Sequence, residues 1–172
     1  MPSSSTQQHR AEAEKLPPVR VAVLTISDTR TPETDASGAY LRERLAAEGH
    51  TLVHYEILKD EPDQIRARVR ELAAGGTVQA ILTNGGTGIA PRDGTFEAVS
   101  GLLDKTLPGF GELFRMLSWE EVGPAAMLSR AVAGLCGQTL IFCMPGSRNA
   151  VGVAADRLIL PELSHLVWEM KR

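Results

Sequence analysis

Thr83-Asn-Gly-Gly-Thr-Gly-Ile-Ala-Pro-Arg-Asp93 is the stretch of this sequence whose residue types and spacing could best do chemistry. Gly85, Gly86 and Gly88 let a backbone take positive φ and approach a ligand with no Cβ in the way. Successive N–H groups in such a turn form a concave anion nest, and a helix starting just beyond adds its dipole. Thr83, Asn84 and Thr87 add side-chain hydrogen-bonding groups, while Arg92 and Asp93 set opposite charges at the rim. The same pattern also serves as a plain strand-to-helix turn, so its meaning depends on what stands around it.

Other polar residues fall at comparable places. Asp28 follows the first apolar run, Asp60 the second, and Asp93 the third by way of the glycine loop. Gly146 and Ser147 follow the last. In an open parallel sheet, ligands bind beyond the C-terminal ends of the strands. Carboxylates Asp93, Asp60 and Asp28 on one edge, beside two phosphate-friendly turns, suggest a metal–phosphate site, because Mg²⁺ prefers oxygen ligands and substrate phosphates. Each residue also has a structural use. Asp60 could cap a helix, Asp28 could form a turn, Asp93 could cap a helix or pair with Arg92, and Glu112 could complement a helix dipole.

The elements that must position these groups alternate along the chain. Val19–Ile26 is nearly continuous in apolar residues, which suits a central parallel strand covered on both faces. A helix is expected from about Ser37 to Glu48, stopped by Gly49, then a strand from Thr51 to Leu58. Asp60 and Pro62 start a helix closed by Gly75-Gly76. Val78–Leu82 reads as the third strand and Thr95–Leu103 as a helix. Leu102–Thr106 reads as a connector, and Pro108-Gly109 opens a further helix. Residues 131–135 and 139–144 flank Gly137-Gln138 like a hairpin, so one strand is expected to be antiparallel. A last helix carries Val151 to Leu166. The fold class is therefore α/β, three layers (α/β/α) around a mainly parallel sheet.

At 172 residues the chain fits one domain at residues 18–172, after a polar, disordered tail at residues 1–17. A net charge of −3 argues against a nucleic-acid partner. No apolar run is long enough for a membrane helix. Cys136 and Cys143 read as buried, reduced thiols, which suits the cytoplasm. The glycine loop is neither a dinucleotide fingerprint, which would follow the first strand, nor a Walker A loop, which needs a Lys after its last Gly. HExxH and CxxC are absent, which argues against zinc. His9, His50, His54 and His165 are scattered, without the positioned neighbour a general base needs.

Thr83–Gly88 with Pro91-Arg-Asp93, Pro108-Gly-Phe-Gly-Glu112, Ser129-Arg130 and Pro145-Gly-Ser147 together resemble the MoaB/MogA family of molybdenum cofactor biosynthesis. Phe110–Gly123 is most similar to the MoaB branch. The resemblance runs from about Val19 to the C-terminus. It implies the MogA/gephyrin G-domain-like α/β fold, binding of molybdopterin, and Mg²⁺- and ATP-dependent adenylylation of that pterin with release of pyrophosphate. It further implies a homotrimer, or a hexamer of two trimers, and contact with other cofactor-biosynthesis proteins. By the same resemblance Asp93 is the catalytic aspartate and Asp60 a second one. Gly85, Gly86, Thr87 and Gly88 cradle phosphate, and Glu112 and Ser147 line the pocket.

Two departures stand out. The family's Arg-Asp-x-Thr-Pro-Glu is here Arg92-Asp-Gly-Thr-Phe-Glu97, so Phe96 replaces a proline that presets a helix start. The familiar Thr-Thr-Gly-Gly is Thr83-Asn84-Gly85-Gly86. A malformed loop at Phe96 would leave a non-catalytic molybdopterin-binding or carrier protein, and an unrelated phosphosugar or nucleotide enzyme is a third possibility on such a scaffold. The apolar Phe114, Met116 and Trp119 read more readily as core than as an oligomer contact.

Overall fold

A computed structural model describes residue 12 and residues 16–172, so nearly all of the expected tail lies outside the described residues. The chain runs β1 (Arg20–Ile26), α1 (Ala36–Ala47), β2 (Thr51–Leu58), α2 (Pro62–Ala74), β3 (Ala80–Asn84) and α3 (Thr95–Ser100). It continues through β4 (Lys105–Thr106), α4 (Pro108–Val122), a 3₁₀ segment (Gly123–Leu128), β5 (Val132–Cys136) and β6 (Thr139–Met144). It ends in α5 (Arg148–Ala154), a π-helical segment (Ala155–Ile159) and α6 (Leu160–Lys171).

The six strands form one sheet in the order β2-β1-β3-β6-β5-β4. β2, β1, β3 and β6 are parallel, and β5 alone runs against its neighbours β6 and β4. Side-chain alternation divides the interior in two. Val21 and Val23 of β1 join Leu82, Phe142, Leu41 of α1, Phe114 of α4 and Leu163 of α6 on one face. Leu24 and Ile26 join Ile81, Cys143, Ile65 of α2 and Val99 of α3 on the other. Burial on both faces is why β1 and β6 read as unbroken apolar runs. β2 is an edge strand with Thr51 and Leu52 exposed, which matches its polar His54 and Glu56.

The three-layer, mainly parallel architecture agrees with the sequence reading, with local corrections. β3 lies two residues later than the apolar run suggested, because Thr83 and Asn84 pair with Cys143 and Met144 of β6. The connector Leu102–Thr106 contains β4, whose two residues are too short to leave a periodic signal. Phe114 is wholly buried, but Met116 and Trp119 are 54% and 59% exposed, so they are not core. Cys143 is buried, and burial pushes its thiol up to about 12, while Cys136 is only half-buried.

Candidate active site

β1 leads to β2 on one side and β3 returns on the other, so the strand order reverses between β1 and β3. The glycine turn leaves β3 at that point, between the turn after β1 and the turn after β6. Packing is close enough to dictate residue type. A methyl group on Gly146 would lie 2.9 Å from the α-carbon of Gly85, and one on Gly85 would collide with the carbonyl of Ile26. Gly85 and Gly86 have φ of 103° and 63°, the region in which glycine is favoured. Gly85 N–H donates to Met144 O at 3.1 Å, and the Gly86 carbonyl accepts from Thr95 N–H at 3.0 Å. The N–H groups of Gly86, Thr87 and Gly88 have no partner among the described residues. Three successive backbone donors of a tight turn are thus left without an acceptor among the described residues, a condition that an anion nest requires.

Asp60 is 6% exposed and stands beside this turn. It is not the cap of α2, whose N-cap is Glu61. Its Oδ1 instead accepts from Gly94 N–H and Thr95 Oγ1, both at 3.3 Å, which binds the start of α3 to the turn after β2. Burial pushes its pKa above the ordinary carboxylate value, against those hydrogen bonds, and the charges of Asp93 and Asp28 push the same way. Asp93 Oδ2 accepts from Ala90 N–H at 3.0 Å, a contact within its own loop, and Arg92 is not its partner. A methyl group on Gly88 would approach that oxygen to 2.5 Å.

Asp28 has a different position. Arg92 donates to both of its oxygens, at 2.9 and 3.2 Å, and this holds the carboxyl below its usual range. Arg92 also reaches Glu61 at 2.7 Å. The three aspartates therefore converge without forming a ready cage, and among the described residues no set of three or more His, Cys, Asp or Glu is arranged to hold a metal ion. Asp60 Oδ2 and Asp93 Oδ1 accept no hydrogen bond among the described residues.

The remaining residues are placed less uniformly. Thr83 and Asn84 are fully buried within β3 rather than presented by the loop. Asn84 Nδ2 donates to Thr25 Oγ1 at 2.9 Å, while its Oδ1 has no partner. Thr87 is buried as well. Ser147 is exposed, caps α5 by accepting from Ala150 N–H at 3.2 Å, and borders a cavity of about 210 Å³ with Ser118, Glu121, Ser129 and Asn149. Glu112 lies on the exposed side of α4 and makes no hydrogen bond or ion pair among the described residues.

Two arginines hold the site together: Arg30, which the sequence reading did not single out, and Arg130, which it quoted in a motif without a role. Arg30 donates to Asp35 at 3.1 Å and to the carbonyl of Gly146 at 2.9 Å, joining the turns after β1 and β6. Arg130 donates to Gly88 O at 3.2 Å, pairs with Glu97, and lies over the ring of Phe96, 4.5 Å from its centroid. Phe96 thus occupies the second position of an intact α3 and helps hold the cation that grips the glycine loop. The helix starts at Thr95 without a proline in its first turn.

Residues 22–165 match the family described as "Probable molybdopterin binding domain". The chain is 54% identical over 167 residues to molybdenum cofactor biosynthesis protein B of Halalkalibacterium halodurans, covering 96% of this chain and 97% of that protein. Among solved structures it is similar to a molybdenum cofactor biosynthesis protein B, at 52% identity and a TM-score of 0.88, over 90% of this chain and 97% of the other. It is also similar to the tungsten cofactor synthesizing protein MoaB from Pyrococcus furiosus, at 35% identity and a TM-score of 0.81, over 90% and 98% of the two chains.

Proposed function

The chain belongs to the molybdopterin-binding family of molybdenum cofactor biosynthesis, in its MoaB branch, and from that premise we propose that it adenylylates molybdopterin with Mg-ATP. The observation that carries this reading is the row of unpaired amides at Gly86, Thr87 and Gly88 between the carboxylates Asp60 and Asp93. A phosphate-transfer site needs an anion cradle beside groups that hold a cation, and little else.

An oxygen of molybdopterin's terminal phosphate attacks the α-phosphorus of ATP. The bond from that phosphorus to the bridging oxygen breaks, and pyrophosphate leaves with the electron pair. A phosphate monoester has a second pKa of roughly 6, so the nucleophile is already anionic near neutral pH and no strong base is required. The work left to the protein is positioning. The glycine turn cradles phosphate, Asp93 and Asp60 act as the catalytic carboxylates that would hold Mg²⁺, and Ser147 orients the pterin. Mg²⁺, when bound, neutralises phosphate charge in the transition state and on the leaving pyrophosphate. Asp28 acts one step removed, by holding Arg92 at the rim.

An apolar strip on α4 and the segment after it supports assembly into a homotrimer or hexamer. Leu113, Met116, Trp119 and Val122 are each about half exposed, and Met127 and Leu128 extend the strip. A cytoplasmic setting suits the free Cys136 and Cys143. The competing reading is a non-catalytic molybdopterin carrier, which would hold the pterin in the same place without turning over ATP. Asp93→Asn separates the two. It is expected to keep molybdopterin binding and to lose adenylylated product, whereas a carrier would make no product in either form.

A further inference from the structure

We propose that Asp35 is a positioning residue for the phosphate cradle, a buried carboxylate that ties the glycine turn to the turn after β6. The proposal rests on the adenylyltransferase reading and names the group that keeps the two turns in register.

Asp35 precedes α1 and is 1% exposed. Its Oδ1 caps that helix by accepting from Gly38 N–H at 2.9 Å. A cap needs no more, and Ser, Thr or Asn would supply it. The same oxygen also accepts from Arg30 Nη1 at 3.1 Å, and Oδ2 accepts from the Tyr55 hydroxyl of β2 at 2.8 Å. Thr25 of β1 donates to the carboxylate as well. Burial raises the pKa of this group, but the bonds from Thr25, Gly38, Tyr55 and Arg30 outweigh it and hold the carboxyl below its ordinary value. Burial, and then the bond to Asp35, push Tyr55 up to about 12, so its hydroxyl stays a donor. A charge kept in the interior needs a partner of opposite sign, and Arg30 is that partner.

Three of these contacts lead on to the cradle. Arg30 Nη2 donates to the Gly146 carbonyl at 2.9 Å. Ser37, in the first turn of the helix that Asp35 caps, donates to the same carbonyl at 2.8 Å. Thr25 Oγ1 accepts from Asn84 Nδ2 at 2.9 Å, and Asn84 immediately precedes Gly85. Gly146 packs against Gly85, so both sides of the cradle are tied back to one carboxylate. A side chain at Gly38 would strike Asp35 Oδ2, so α1 is seated directly against the charge. The amides of Gly86, Thr87 and Gly88, without partners among the described residues, follow Gly85 in the chain. Removing the charge releases Arg30 and the Gly146 carbonyl, and the cradle loses the alignment that in-line transfer requires.

The test is steady-state adenylyl transfer, with calorimetric titration by Mg²⁺ plus pyrophosphate, on wild type, Asp35→Asn, Arg30→Gln and the double variant. Asp35→Asn keeps the acceptor for Gly38 and removes the charge, and thermal melts measure the folded fraction. The proposal predicts kcat lowered roughly 10- to 100-fold in each single variant, with KM for ATP and for molybdopterin within about threefold of wild type. Pyrophosphate, which has no other anchor, should bind about tenfold more weakly. The double variant should be no worse than Asp35→Asn, because the pair acts as one unit. If Asp35→Asn does not fold, the partly exposed Arg30→Gln decides by the same measures. A lower melting temperature with unchanged kcat and pyrophosphate affinity would reduce Asp35 to a helix cap and overturn the proposal, as would losses that multiply in the double variant. Wild type that binds pyrophosphate and makes no adenylylated pterin would remove the adenylyltransferase reading alone. Weaker pyrophosphate binding by Asp35→Asn would then still support the proposal, and equal binding would overturn it. Wild type that binds no pyrophosphate and makes no product would remove the cradle and the proposal together.

Discussion

A side chain at Gly86 would collide with the carboxylate of Asp60 and with the hydroxyl of Thr95. Glycine is therefore required there twice over, by that contact and by a φ of 63°. Gly86→Ala should destabilise the protein by roughly 2–4 kcal/mol, from the left-handed conformation and the crowding together. Urea denaturation measures this. A change below about 0.5 kcal/mol, the range of ordinary surface substitutions, would mean that the turn is looser than described.

Asp60 carries the opposite balance between stability and function. Its pKa in the folded protein is raised above 3.8, first by burial. Between 3.8 and that raised value the folded state binds more protons than the unfolded state, so this group's contribution to stability falls as pH rises through the window. Below the window the effect is absent. Asp60→Asn keeps an acceptor for Gly94 and Thr95 and removes the buried charge. It should be at least as stable as wild type at pH 7, with the difference shrinking as pH falls towards 4, while adenylylation drops roughly a hundredfold. Thermal melts across pH test the first part, and lower stability at pH 7 would contradict it.

Trp119 is 59% exposed in the strip with Leu113, Met116 and Val122, so its substitution should leave the protomer fold intact. Trp119→Glu places a charge where an apolar face would be covered, at a cost of several kcal/mol if the charge is buried unpaired. Sedimentation velocity should show oligomeric wild type and a folded, monomeric variant. A monomeric wild type at micromolar concentration would overturn the assembly.

Much of the frame was legible because local chemistry and tertiary packing agree in it. Residues 51–58 form β2 over the span their alternation indicates, and Gly85, Gly86 and Gly88 stand at a turn that needs small residues. What escaped the sequence depends on residues far apart in the chain. Asp60 looked like a cap for the helix beside it, but its partners Gly94 and Thr95 come from the start of another helix. Nothing local to Phe96 indicates Arg130, and nothing local to Arg30 indicates the Gly146 carbonyl. Thr83 and Asn84 read as part of the loop because pairing with β6, which buries them, is not visible in the five residues of β3. Met116 and Trp119 read as core on apolar character alone, and they belong to neither interior cluster.

Pyrophosphate release by the purified protein, given Mg-ATP and molybdopterin, tests the central claim most directly. The account predicts pyrophosphate and adenylylated pterin in equal amounts from wild type, and no detectable product from Asp93→Asn although it binds molybdopterin as tightly. Wild-type protein that binds molybdopterin and releases no pyrophosphate would contradict it.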